Sequence, residues 1–449
     1  MSTSRIRMDV KAVINNNKMG GLQKLILFFC FAIIALDGLD VVVMGLIAPQ
    51  IIQEWGVSAH QLAPVLSAAM FGLAIGALVS GPLSDKFGRK PVLIFSVMGF
   101  GFFTLLTAFS ADITHLIIFR FLTGLGAGAA APNAATLASE YAPDKRRSLA
   151  VNIAYCGFSM GAAAGGFLAA WMIPEFGWRS MLVLGGVLPL ILAPFLYWKM
   201  PESVTYLVKH KHASAQEKIY QILGRMFPQQ KISSYEFYLN EIVTEKTGIR
   251  LILSRQYLYG TVMLWISYFT AMFLIYLCGS WMPTLVKMNN FSISQAAVAI
   301  SFFQIGGPIG CLCLGWLMDK FSPRLVLFIA MSIGALATYA LGQFSSNFSL
   351  MCFFALILGF CFNGGSVGVS AIAMGYYPTS ARATGVSWMN GIGRFGAILS
   401  AFAGAAMINA KMPFEMMFTL LMIPAFLSAL SILMQPSKNK AVQSKSLKV

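Results

Sequence analysis

Residues 81–90 read Gly81-Pro82-Leu83-Ser84-Asp85-Lys86-Phe87-Gly88-Arg89-Lys90, and much of the pattern returns as Gly315-Trp316-Leu317-Met318-Asp319-Lys320-Phe321. Each copy is a short charged loop between two long apolar runs. Outward from both, apolar runs of about twenty residues recur from end to end, the length a helix needs to cross a bilayer core. About twelve are legible: 25–52, 62–82, 91–109, 114–138, 149–172, 180–199, 257–280, 294–317, 325–343, 349–374, 385–408 and 413–434. The chain of 449 residues is 57% hydrophobic and 11% charged, against about 25% charged in soluble domains. A soluble globule, a disordered chain, a collagen and a disulfide scaffold are thereby excluded. The expected fold is an all-α membrane protein.

The repeat goes further than the two loops. Tyr141, Pro143 and Arg147 return as Tyr376, Pro378 and Arg382, and Gly124 as Gly359. Residues 201–254 form the one long hydrophilic interval, with six apolar runs on each side. The expected organisation is therefore an inner N-terminal segment (1–24), a six-helix bundle (25–200), a linker (201–254), a second six-helix bundle (255–434) and an inner tail (435–449). A duplicated bundle with the same orientation in both copies is a transporter architecture, with the site between the repeats. In the linker, Ile219, Ile222, Leu223 and Met226 recur at helical spacing beside Glu217, Lys218 and Arg225. That pattern predicts an amphipathic helix along the inner membrane surface.

The net charge of +16 invites a nucleic-acid reading, which the placement of the charges rejects. With the amino terminus inside, 27 of the 32 Lys and Arg fall in inner segments. Arg179, Lys287 and Lys411 lie in outer loops, and Arg120 and Arg394 lie within apolar runs. This is the positive-inside bias that sets membrane orientation, and it puts both termini in the cytoplasm. The stretch Leu25–Leu36 imitates a signal-peptide core, but Asp37-Gly38-Leu39-Asp40 follows instead of a small-residue cleavage site, and the apolar run resumes at Val41. All seven cysteines sit in apolar stretches, as small hydrophobic residues rather than disulfides or metal ligands.

Ionised side chains at mid-bilayer cost on the order of 2.5–3.5 kcal/mol or more, so those present face a cavity and have partners. Asp37, Asp40, Arg120 and Arg394 stand out, and their charges sum to zero. Three residues apart, Asp37 and Asp40 share a helix face. Gly38 between them permits close approach of another backbone or a ligand. Two carboxylates in a poorly hydrated cavity do not both ionise easily, whereas an adjacent arginine favours ionisation. That competition makes a proton switch, with Asp37 or Asp40 as carrier; the competing reading is a fixed Asp–Arg pair that holds helices together. Arg394 suits a substrate carboxylate, since guanidinium binds it in a two-point fork. Arg120 suits coupling, although the two roles are exchangeable at this stage. Tyr268, Tyr276, Trp388, Phe302 and Phe303 offer aromatic surface, and Gln304, Asn363 and Asn390 offer hydrogen bonds for a ring hydroxyl. With 36 Phe, 14 Tyr and 8 Trp, most aromatics must face lipid or pack. The series Gly157, Gly161, Gly165 and Gly166 reads as close helix packing.

These motifs have a family resemblance. Gly81-x-x-x-Asp85-Lys86-x-Gly88-Arg89-Lys90 resembles the signature loop of the major facilitator superfamily, with Lys86 where Arg is commoner; the second copy has Ser322 and Pro323 in place of Gly88 and Arg89. Arg120-x-x-x-Gly124-x-Gly126-x-Gly128 resembles that superfamily's arginine motif. Asp37-Gly38-Leu39-Asp40 and Gly391-Ile392-Gly393-Arg394-Phe395-Gly396 resemble the aromatic acid:proton symporters that carry 4-hydroxybenzoate, protocatechuate and vanillate. The resemblance implies proton-driven import of a small aromatic carboxylate across a bacterial inner membrane. Asp37, Asp40 and Arg120 would then couple protons, and Arg394, Asn363, Gln304, Tyr268 and Trp388 would bind substrate. It also implies a conformational latch that stabilises the outward-open state. Asp85 would face a helix amino terminus or a basic residue, Gly81 would permit close packing, and Gly88 and Arg89 would assist. Glu140, Arg146 and Arg147 would be the counterpart.

An enzyme finds little support: the four histidines show no paired metal-ligand spacing, and no P-loop is present to bind ATP. No cofactor is expected, the proton gradient being the energy source. A working monomer is expected, with lipid, protons and the aromatic acid as its partners and no nucleic acid. A carrier of another organic acid such as muconate, an exporter, and a sensor are the alternative readings.

Overall fold

The computed structural model describes residues 6–209, 215–228, 235–238 and 249–436. Residues 1–5, linker residues 210–214 (with His210 and His212), 229–234 and 239–248, and tail residues 437–449 lie outside the described residues. Twelve helices are long and apolar enough to cross a membrane. Six are α2 (Gly21–Trp55), α3 (Ala59–Phe87), α4 (Arg89–Ala108), α5 (Ile113–Tyr141), α6 (Arg147–Phe176) and α7 (Arg179–Lys199). The other six are α11 (Leu258–Met288), α12 (Ile293–Lys320), α13 (Pro323–Gln343), α14 (Phe348–Tyr376), α15 (Thr379–Asn409) and α16 (Phe414–Met434). Short helices α1 (Val10–Asn15), α8 (Val204–Lys209), α9 (Ala215–Met226) and α10 (Ile249–Ile252) lie before and between these two sets.

Each apolar run is matched by one long helix, and most helices overrun their run. Hydropathy marks the hydrocarbon segment, whereas a helix keeps satisfying its own backbone through the headgroup layer. The 35 residues of α2 extend about 52 Å, well beyond a core of about 30 Å. Polar side chains define several starts. The Asp112 carboxylate accepts the His115 backbone N–H at 2.8 Å, and this bond holds its carboxyl below the usual range. Ser292 and Gln295 form a reciprocal capping box at α12, and Asn347 accepts from Ser349 and Leu350 at α14. Leu78, Phe95 and Leu312 are 70–77% exposed; in lipid such surfaces carry no penalty.

The described chain divides into two compact units, residues 1–40, 71–161 and 182–243 in one, and 41–70, 162–181 and 244–449 in the other. The division passes through α2, α3, α6 and α7. Within the first unit, α2 and α6 approach backbone to backbone. A Cβ at Gly38 would overlap the Phe158 carbonyl oxygen, and one at Gly161 would overlap that of Ala35. Within the second unit, Ser301 donates to the Ala163 carbonyl at 3.1 Å and Ser294 to that of Ala170 at 2.7 Å, which fixes the end of α6 against α12.

The linker departs from expectation. Helix α9 forms where the periodicity places it, but Ile219, Ile222, Leu223 and Met226 are buried by protein, not laid on lipid. They share a core with Val10, Val13 and Ile14 of α1, with Leu22 and Ile26 of α2, and with Val204, Leu207 and Phe237. A two-stranded parallel sheet, β1 (Ile6–Asp9) beside β2 (Tyr235–Tyr238), ties the N-terminal segment to the linker, with Ile6 opposite Tyr235. The apolar face of α9 thus finds a protein partner, a choice that its amphipathic pattern alone does not make.

Candidate transport site

Asp37, Gly38, Leu39 and Asp40 lie inside α2 with no break in the helix. Asp37 is 7% exposed, Asp40 3% and Arg120, on α5, 1%. The Arg120 guanidinium clamps Asp40 in a two-point fork: Nη1 donates to Oδ1 and Nη2 to Oδ2, both at 2.8 Å. Thr104 of α4 adds a hydroxyl at 3.3 Å from Oδ1. Three helices therefore converge on one buried carboxylate. Arg120 Nε has no acceptor, so the pair is held by its terminal nitrogens alone. Of the two acids left open by the sequence, Asp40 is the one paired with Arg120. Thr104 escaped the sequence reading because a threonine in an apolar run is unremarkable.

The second unit gathers other expected residues. Gln304 is buried on α12 and accepts from Asn363 Nδ2 of α14 at 3.3 Å. Tyr268 of α11 lies against Gly393 of α15, where a Cβ would come within 2.5 Å of its Cδ1; Arg394, the next residue along α15, is half-buried. Trp388 is half exposed and stacks on Trp265, with ring centroids 6.3 Å apart and planes at 27°. Asn390 is exposed and Tyr276 half-buried. Phe303 is the most enclosed of the aromatic candidates. It is fully buried, and its backbone carbonyl lies where a Cβ at Gly359 would be, so α12 and α14 approach closely there.

The loop motif is assembled around a residue that the sequence reading missed. Glu202, in the linker just before α8, accepts at Oε1 from the backbone N–H of Arg89 at 2.9 Å, Lys90 at 3.2 Å and Ser203 at 2.8 Å. It caps the amino terminus of α4, where carboxylates are stabilised by exposed N–H groups and the helix dipole. Gly88 adopts φ +99°, and a Cβ there would collide with Glu202 Oε2. The Arg89 side chain donates to Glu140 at 2.8 Å, and Ser203 Oγ also donates to Glu140. Asn133 Nδ2 donates to the Arg89 carbonyl at 2.9 Å. One expectation is met and one corrected. Asp85, 76% exposed, lies 3.7 Å from Arg89 and so faces a basic residue, one of its two expected partners, while the α4 terminus goes to Glu202. Gly81 packs against nothing: a Cβ there would meet no atom within 4 Å. Arg146 and Arg147 are exposed at the start of α6.

Fold, buried fork and clasped loop define a polytopic helical transporter. The description of the Major Facilitator Superfamily matches residues 29–337 and again 264–448, and the chain belongs to that family. It is 43% identical to the 4-hydroxybenzoate transporter PcaK of Pseudomonas aeruginosa over 96% of either chain. It is 44% identical to a gallate transporter of Pseudomonas putida over 95% of this chain and 94% of that one. Among solved structures, the inward-open xylose transporter XylE of E. coli superposes with a TM-score of 0.69 at 16% identity, over 91% of this chain and 95% of that one; this likeness concerns the fold. The chain is thus a multi-pass membrane transporter and not an enzyme.

Proposed function

We propose that the protein imports a hydroxylated aromatic carboxylate together with protons across a bacterial inner membrane, as a monomer with both termini in the cytoplasm, by alternating access. The observation that carries this reading is the Asp40–Arg120 fork. A proton delivered to the Asp40 carboxylate frees the guanidinium from its counter-charge, so protonation and a change of helix contacts become one event. Asp37, buried one turn earlier on α2, is the second acid of this relay. Arg394 takes the substrate carboxylate. Tyr268 and Trp388 offer ring faces, and the Gln304–Asn363 pair offers an amide to a ring hydroxyl. The 4-hydroxybenzoate and gallate transporters named above support this substrate class.

Proteoliposomes with an acidic exterior test it. Labelled 4-hydroxybenzoate and protocatechuate should accumulate, and a protonophore should abolish the accumulation. Asp40→Asn should lose accumulation yet retain exchange of labelled for unlabelled substrate, because binding persists without the proton. Uptake indifferent to the pH gradient, or a preference for muconate over both aromatic acids, would overturn the proposal.

A further inference from the structure

At the end of the first unit where α4 and α6 begin and α5 finishes, a cavity of about 150 Å³ opens beneath the N-terminal segment. Its charged lining comes from six elements: Lys11 of α1, Arg89 of α4, Glu140 of α5, Arg147 of α6, Lys209 of α8, and Asp144 of the 3-10 turn Asp144–Arg146. Four cations thus face two anions. Both anions are engaged: Glu140 by Arg89 and Ser203, and Asp144 by Asn15, whose Nδ2 donates to it at 2.6 Å and whose Oδ1 accepts its backbone N–H at 2.8 Å. Among the described residues, neither Lys11 nor Arg147 has a carboxylate within salt-bridge distance. Like charges collected around a small cavity repel one another, and an anion in the cavity relieves that repulsion. We propose that this cavity binds a phosphate group, carried by a soluble anion or by an anionic lipid headgroup. Lysine and arginine are the side chains suited to it, the first as a point charge and the second as a planar fork.

The position gives binding a consequence. Lys11 belongs to the N-terminal segment that shares a core with the linker, whereas Arg89 and Arg147 begin two spanning helices. An anion held among them cross-links the N-terminal segment to the loop motif. The inference concerns binding alone and is independent of which acid is transported.

The full-length protein, purified without phosphate, supplies the test. As sodium phosphate replaces sodium chloride at constant ionic strength, the unfolding midpoint should rise saturably by about 2–4 °C. The Lys11→Ala/Lys209→Ala double variant should lose this rise, and Lys11→Arg/Lys209→Arg should keep it. In nanodiscs, a lipid source would instead appear as stabilisation by phosphatidylglycerol over phosphatidylcholine, with the same dependence on the two lysines. A saturable effect of either probe that needs the lysines supports the site and identifies its source. No saturable effect of either probe on the unaltered protein, or equal effects in the unaltered protein and the alanine variant, would overturn it.

Discussion

Glu202 accepts three backbone N–H groups, from Arg89, Lys90 and Ser203, while the better signposted Asp85 stands mostly in solvent. A cap of this kind is worth about 0.5–2 kcal/mol, and an exposed ion pair about 0–1 kcal/mol. Glu202→Ala should therefore lower the unfolding midpoint measurably, by the equivalent of about 1–2 kcal/mol, whereas Asp85→Asn should leave it within experimental scatter. A thermal melt of the two variants beside the parent decides between them. Asp40 and Arg120 were conspicuous in the sequence because charge within an apolar run is costly. Glu202 was not, because a carboxylate in a hydrophilic linker is ordinary until its neighbours are known.

At the scale of elements, α2 and α6 cross in close contact on either side of Asp37. Gly38 and Gly161 each face a backbone carbonyl of the other helix, with no room for a Cβ. Membrane helices associate through such close packing, since lipid offers them no hydrophobic drive. Gly161→Leu should force the two helices apart by more than side-chain rearrangement can absorb. The expected outcome is little folded, monodisperse protein on size-exclusion chromatography after detergent extraction, while Gly81→Ala, at a position with open space, should behave as the parent. The glycine series was legible as packing from its spacing. Which carbonyl each glycine meets was not, because a helix pattern contains no information about its partner.

For the whole molecule, the unexpected feature is the joining of the N-terminal segment to the linker. Ile219 and Leu223 are fully buried, and truncating such residues costs about 2–5 kcal/mol each. Leu223→Ala should loosen the packing of α9 against the N-terminal segment and the start of α2, with which it shares a core. Limited trypsin treatment should then cut the linker faster than in the parent, while the helical circular dichroism of the membrane body is retained. Equal cleavage rates would argue that α9 is held by something other than this core. The pattern of Ile219, Ile222, Leu223 and Met226 predicted the helix correctly and its surroundings incorrectly, since a lipid surface and a protein groove make the same demand on an apolar face.

The amino-acid sequence by itself determined the twelve spanning helices, the duplicated loop, the placement of most basic residues in alternate connecting segments and the few charges that lie within the spans. All of these are local properties, legible wherever the thickness of a bilayer and the cost of desolvating charge set the rules. Only the tertiary structure decided that Arg120 holds Asp40, 80 positions away, that Glu202 caps a helix beginning 113 positions before it, and that α9 packs on the N-terminal segment. Those pairings join residues distant along the chain, and the physical reason they escape the sequence is that many partners have the right chemistry while packing brings only one within reach.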